Sequence, residues 1–141
     1  MKRVVLSTTM LVMLGLAFAP GAHADKKKIS PNTVSGAKTV NAQQAKKLFD
    51  QGVVFVDVRS DKDFAAGRIP DAIHIELKKV YSKNTLSEHV KPGQKVVIYC
   101  NGHSCLRSAK ASEQAVSWGY KNVYYFRDGY PAWKKSGYPV E

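Results

Sequence analysis

The chain has 141 residues, with 22 Lys and Arg against 11 Asp and Glu, for a formal net charge of +11. That length holds one domain with one core rather than two, and the basic balance favours small anions or acidic partners through long-range steering. Nucleic acid is excluded as the expected partner, because no zinc-finger spacing, RNA-binding aromatic motif or basic heptad helix accompanies the charge, and the one dense basic run, Lys26-Lys27-Lys28, lies in a polar tail.

Lys2 and Arg3 open a segment whose apolar run, Met10 to Ala19, is broken by Pro20-Gly21 and followed by the small-x-small triplet Ala22-His23-Ala24. This is the pattern of an export signal cleaved near Ala24. The run is about ten residues, half of the roughly twenty that a spanning helix needs. The expectation is a signal peptide over 1–24, a periplasmic or secreted product and no stable membrane insertion. Removing 1–24 leaves 117 residues with a net charge of +9, expected to form a monomer without a cofactor.

Residues 25–37 are polar and lack an apolar period, which reads as a flexible leader before a domain over 38–141. Asn41 is placed to cap a short helix carrying Ala42, Ala45, Leu48 and Phe49 on one face, with Gly52 after its end. Val53 to Val58 is a short run rich in β-branched residues, as in a strand buried on both faces of a parallel sheet. Ser60 or Asp61 starts another short helix, ended by Gly67. Ile73-His74-Ile75 reads as a strand, Leu86 to Val90 as a helical turn or two, and Lys95 to Cys100 as a second buried strand. Ser108 to Trp118 is helical and stopped by Gly119. Asn122 to Phe126 is a further strand, and Asp128-Gly129 turns into a last helix carrying Trp133. Strands alternating with helices predict an α/β fold with a mainly parallel sheet.

Cys100 and Cys105 are the only cysteines. So close a pair cannot staple a fold, so its meaning is local chemistry. Cys100 ends a buried strand, and Asn101-Gly102-His103-Ser104-Cys105-Leu106 runs from it into a helix at about Arg107. Ligands of open α/β sheets sit beyond the carboxyl ends of the strands. A helix N-terminus there offers unpaired N–H groups to an anion and lowers a neighbouring thiol pKa. Gly102 lets the loop turn its amides inward, and Arg107 adds a fixed positive charge at the lip. This combination suits a thiolate attacking a small anionic donor. A buried, inert cysteine is the plainer alternative.

The stretches Val96 to Cys100, Arg107-Ser108-Ala109, Trp118-Gly119-Tyr120, Asn122-Val123-Tyr124 and Asp128 to Trp133 closely resemble the C-terminal half of a rhodanese domain. Val56-Asp57-Val58-Arg59, Asp63-Phe64 and Gly67 to Ile75 resemble that family's first signature, so the resemblance covers roughly residues 38–141. It implies a three-layer fold, a five-stranded parallel sheet between helices, and sulfur transfer. The loop cysteine takes a sulfane sulfur from a donor such as thiosulfate, holds it as a persulfide and passes it to a nucleophilic acceptor, either a small thiol or a protein. On this match Cys100 is the nucleophile, the N–H groups of residues 101 to 106 form the cradle, and Arg107 corresponds to the arginine that closes the family loop.

The chain departs from the family in that loop. Arg107 stands seven residues after Cys100 rather than the usual five, the glycine comes one position early, and Cys105 lies inside. The cell-cycle dual-specificity phosphatases of the family also have an enlarged loop, but with a different sequence. Arg68 and Asp71 replace a common His and Gly and are expected to be surface changes. Cys105 has three readings: a resolving thiol that forms a reversible disulfide with Cys100, a soft-metal ligand with Cys100 and His103, or a residue packed inward. His103 otherwise reads as a solvated loop residue. Asp57 either orients the loop amides or stands apart while Arg59 pairs with Asp61 or Asp63 to hold a turn, the second being the expectation. Trp133 and Tyr130 read as packing residues. Besides sulfur transfer, two functions stay open: a redox or sulfur-carrier module with a Cys100–Cys105 switch, and a non-enzymatic binding domain.

Overall fold

The computed structural model describes residues 27–141; the expected signal peptide over 1–24 lies outside them. The elements run β1 (Ala37–Thr39), α1 (Ala42–Asp50), β2 (Val54–Asp57), α2 (Asp61–Ala66), β3 (Ile73–His74), α3 (Lys83–His89), β4 (Lys95–Tyr99), α4 (Arg107–Ser117), β5 (Asn122–Phe126) and α5 (Gly129–Lys135). Local chemistry sets several of these boundaries. At α1 the Asn41 side chain accepts from the Gln44 amide at 2.8 Å while the Gln44 side chain accepts from the Asn41 amide at 2.9 Å, so two otherwise unpaired donors are satisfied together. α3 starts three residues before the expected turn at Leu86, because Ser82 and Thr85 make the same reciprocal cap.

All five strands are parallel, in the order β1-β5-β4-β2-β3. This is the five-stranded sheet between helices that the resemblance implies. Strand alternation sorts the core into two layers. Val56, Val96 and Ile98 face α3 and α4 through Leu86, Ala111 and Ala115. Phe55, Val97 and Tyr99 face the other way, against Leu48 of α1 and Trp133 of α5. Burying each of the larger apolar side chains is worth about 1.5–3 kcal/mol. The middle strand β4 is covered on both faces, so its carboxyl end is held from every side.

The expectation of a flexible leader is corrected from Ser30 onward. The Ser30 amide donates to the His103 carbonyl at 2.7 Å, its own carbonyl accepts from Arg127 Nη2 at 2.9 Å, and Val34 is buried against Tyr125. The strand at Ala37–Thr39 was also missed; it pairs with β5 at the sheet edge. The strand is held by its backbone ladder and the leader largely by distant side chains that bond its carbonyls, and neither leaves an apolar period in the sequence. Among the described residues, no helix is long and apolar enough to cross a membrane.

Candidate active site

Cys100 is the first residue beyond β4, and it is 1% exposed. Its carbonyl accepts from the Tyr130 amide at 2.9 Å, tying the loop to the start of α5. The tie requires glycine at 129: φ there is +63°, and a Cβ would collide with the Cys100 carbonyl and lie 2.9 Å from the Gly102 nitrogen. Gly102 takes φ +100°, as the loop's inward turn needs. The sequence reading placed Gly129 only in a turn and missed its part in the site. The Asp128-Gly129 pair, a combination suited to a positive φ, was the available signal.

The loop residues are divided in their orientation. The Cys105 amide turns back to the Gly102 carbonyl at 3.0 Å, so it does not belong to the expected cradle of amides 101 to 106. Among the described residues, the amides of Asn101, Gly102, His103 and Ser104 have no hydrogen-bond acceptor. Leu106 is the N-cap of α4 and provides no side-chain cap, so the first-turn donors of that helix also lack a side-chain acceptor.

Cys100 and Cys105 form a disulfide, with their Cα atoms 6.4 Å apart. Of the three readings of Cys105, the resolving thiol is the one that includes such a pairing. Both sulfurs are then occupied, and His103 pairs its Nε2 with Asp128 Oδ1 rather than facing the cysteines. Among the described residues, no cluster of three His, Cys, Asp or Glu side chains could hold a metal ion.

Arg59 does not pair with Asp61 or Asp63, which corrects the expectation. Its Nη2 donates to Asp57 Oδ2 at 2.7 Å and its Nε to Asp57 Oδ1 at 3.0 Å, and both residues are buried. Nη2 also donates to the Gly67 carbonyl at 2.7 Å, and the guanidinium lies 4.4 Å from the centre of the Tyr130 ring. Tyr130 is therefore more than a packing residue. Burial pulls the Arg59 pKa down, but the Asp57 hydrogen bond and charge outweigh it, and the net shift is upward. Arg59 Nη1 reaches Asn101 Oδ1 at 3.4 Å, and Asn101 Nδ2 donates to Asp63 Oδ2 at 2.9 Å. That Asn101 hydrogen bond, helped by one from Ser60, holds the Asp63 carboxyl below the usual carboxylate range. The chain Asp57–Arg59–Asn101–Asp63 thus fixes the residue that follows Cys100.

Arg107 lines the pocket at the loop, but its Nη1 is bound to Glu76 Oε1 at 2.7 Å. Glu76 is 4% exposed, and its Oε2 has no partner. The sequence reading missed this carboxylate. Its signal was a charge enclosed by Ile75 and Leu77 just after a strand.

Residues 41–136 match the family described as the rhodanese-like domain. The chain is 32% identical over 104 residues to the thiosulfate sulfurtransferase GlpE of Pseudomonas savastanoi pv. phaseolicola, an alignment spanning 74% of this chain and 92% of that protein. It is 33% identical over 90 residues to a sulfurtransferase of Allochromatium vinosum, spanning 64% of this chain and 79% of the relative. Among solved structures, the BH2092 protein of Bacillus halodurans shares the fold at a TM-score of 0.66 and 23% identity, over 74% of this chain and 77% of that one.

Proposed function

Because the chain belongs to the rhodanese-like family of sulfurtransferases, we propose that it moves a sulfane sulfur from a thiosulfate-type donor to a nucleophilic acceptor through a persulfide on Cys100. The lone pair of the Cys100 thiolate attacks the outer sulfur of thiosulfate, and the donor S–S bond pair leaves with sulfite. An acceptor then attacks the bound sulfur, and Cys100 departs as a thiolate. The observation that carries the reading is the setting of Cys100: it stands at the carboxyl end of the central strand, beside the acceptor-free amides of Asn101, Gly102, His103 and Ser104 and upstream of a helix with no side-chain cap. Such donors favour both a thiolate and an arriving anion. Arg107 adds its charge at the lip, and Asp57 and Arg59 support the loop from behind.

The Cys100–Cys105 disulfide favours a second, linked reading, a redox or sulfur-carrier role. While it persists Cys100 is no nucleophile, so sulfur transfer waits on reduction. After loading, the Cys105 thiolate has a second exit for the sulfur. It attacks the Cys100 side of the persulfide, closes the disulfide and expels hydrosulfide, so that the loop supplies two electrons to the sulfane sulfur. The reading places the protein outside the cytoplasm after cleavage near Ala24, as a monomer whose partners are a small anionic donor and a thiol or protein acceptor.

Intact-mass analysis of fully reduced protein with and without thiosulfate tests this. A gain of one sulfur is expected, lost in Cys100→Ala and kept in Cys105→Ala; no gain with any sulfane donor refutes the proposal. Hydrosulfide released by reduced wild type but not by Cys105→Ala identifies the second exit.

A further inference from the structure

The two sulfurs of the disulfide face different surroundings. Cys100 is 1% exposed, whereas Cys105 is partly exposed and forms part of the wall of a surface pocket of about 840 Å³. That pocket carries four basic side chains, Lys28, Lys78, Arg107 and Lys110, over an apolar patch that includes Leu77 and Tyr81, and none of its lining residues is acidic. Glu76 offsets part of the Arg107 charge from behind, and among the described residues the three exposed lysines at the pocket have no acidic partner. A volume of this order suits a small molecule rather than a bare ion.

We infer that this pocket is the binding site of a low-molecular-weight thiol bearing two or more carboxylates, and that it directs the thiol to the sulfur of Cys105. The thiolate lone pair attacks Cys105 Sγ, forming a mixed disulfide there, and the old S–S bond pair leaves with Cys100 as a thiolate. A second thiol then attacks the outer sulfur of that mixed disulfide, releasing the oxidised thiol dimer and leaving Cys105 as a thiolate. Two thiols are oxidised by two electrons in all, and one disulfide is reduced. Three observations act together. Exposure decides which sulfur is attacked, since within the disulfide the Cys100 side is 1% exposed while the Cys105 side opens on the pocket. The leaving side is the one beside free loop amides, and a stabilised thiolate leaves faster. The lysines concentrate anionic thiols over neutral ones, and salt screens that attraction.

The inference rests on the redox-gated part of the proposed function, yet it is read on reduction alone with no sulfur donor present. Failure to load sulfur and failure to select anionic thiols are therefore separate results. The test compares reduction rates of the purified, oxidised protein by mercaptosuccinate, 2-mercaptoethanol and cysteamine, each corrected for its thiolate concentration. Mercaptosuccinate is expected to exceed 2-mercaptoethanol by about tenfold and cysteamine to be slowest, with the spread shrinking in 0.5 M salt, about 4 Å in screening length. Lys78→Gln with Lys110→Gln should cut the preference several-fold, while Lys47→Gln on α1, on the other side of the sheet, should leave it unchanged. Quenching with iodoacetamide after partial reduction and fragmenting the peptide over 96–107 should place mercaptosuccinate on Cys105 and the alkyl group on Cys100. Equal rates for the three thiols, or the adduct on Cys100, overturn the inference.

Discussion

The Tyr130 amide donates to the Cys100 carbonyl across 2.9 Å, so the first turn of the last helix is tied to the first residue beyond the central strand. That bond sets the direction in which the chain leaves β4, and with it where the amides of the loop point. Gly129 makes the approach possible, since any side chain there would occupy the space of the Cys100 carbonyl.

Gly129→Ala should therefore damage the site and the fold together. The positive φ and the backbone collision add up to about 2–4 kcal/mol. Gly102→Ala should cost less, about 1–2 kcal/mol, because a Cβ there would meet only the Asp128 carbonyl at 3.3 Å. Urea unfolding of the two variants checks the order; a Gly129→Ala protein as stable as wild type contradicts the packing.

Asp57→Asn removes the charge that compensates buried Arg59 while keeping the side chain's shape. Leaving a buried cation unpaired costs about 3–5 kcal/mol. Arg59→Lys is not a conservative change either, because an ammonium cannot span Asp57, the Gly67 carbonyl and the Tyr130 ring at once. Denaturation midpoints and the NMR shifts of the Asn101 side-chain amide, which bonds Asp63, are the measurements, and both variants should loosen Asn101.

Arg107→Ala strands Glu76, whose Oε2 already has no partner. A loss of about 2–3 kcal/mol is expected from the unpaired carboxylate. Adding Glu76→Gln should return much of it, so the two substitutions should couple by more than about 0.5 kcal/mol. Strictly additive effects would show that the pair contributes nothing.

The lowered Asp63 pKa gives a pH signature. Its folded value lies below its unfolded one, so the stability it lends is complete above the ordinary carboxylate range and is lost as pH falls through the depressed folded value. Asn101→Ala removes the largest cause of the shift. Carboxyl NMR titration should then move Asp63 upward, and wild type should lose its advantage over the variant on the acid side. An unmoved titration would show that Asn101 does not hold that carboxylate.

The locally written features were legible. The two β-branched runs became β2 and β4, Asn41 and Ser60 capped α1 and α2, and Cys100 fell at a strand end ahead of a helix. Motif order carried the family and the parallel sheet. Asp71 was read as a surface change and is exposed, but its φ of +61° is an angle that glycine adopts most freely; a short polar side chain is among the few others tolerated there.

What stayed hidden was the choice of partner. Arg59 had acidic residues on both sides in sequence, and only the sheet decided for Asp57. Arg107 met Glu76 across 31 residues, and Ser30 met Arg127 across 97. The sequence by itself determined elements, caps and the position of Cys100 at a strand end, since those depend on neighbours within a turn or two. Tertiary structure alone decided which charges pair, which glycine yields to a carbonyl and which sulfur faces the lysines, because each depends on the packing of segments far apart in the chain.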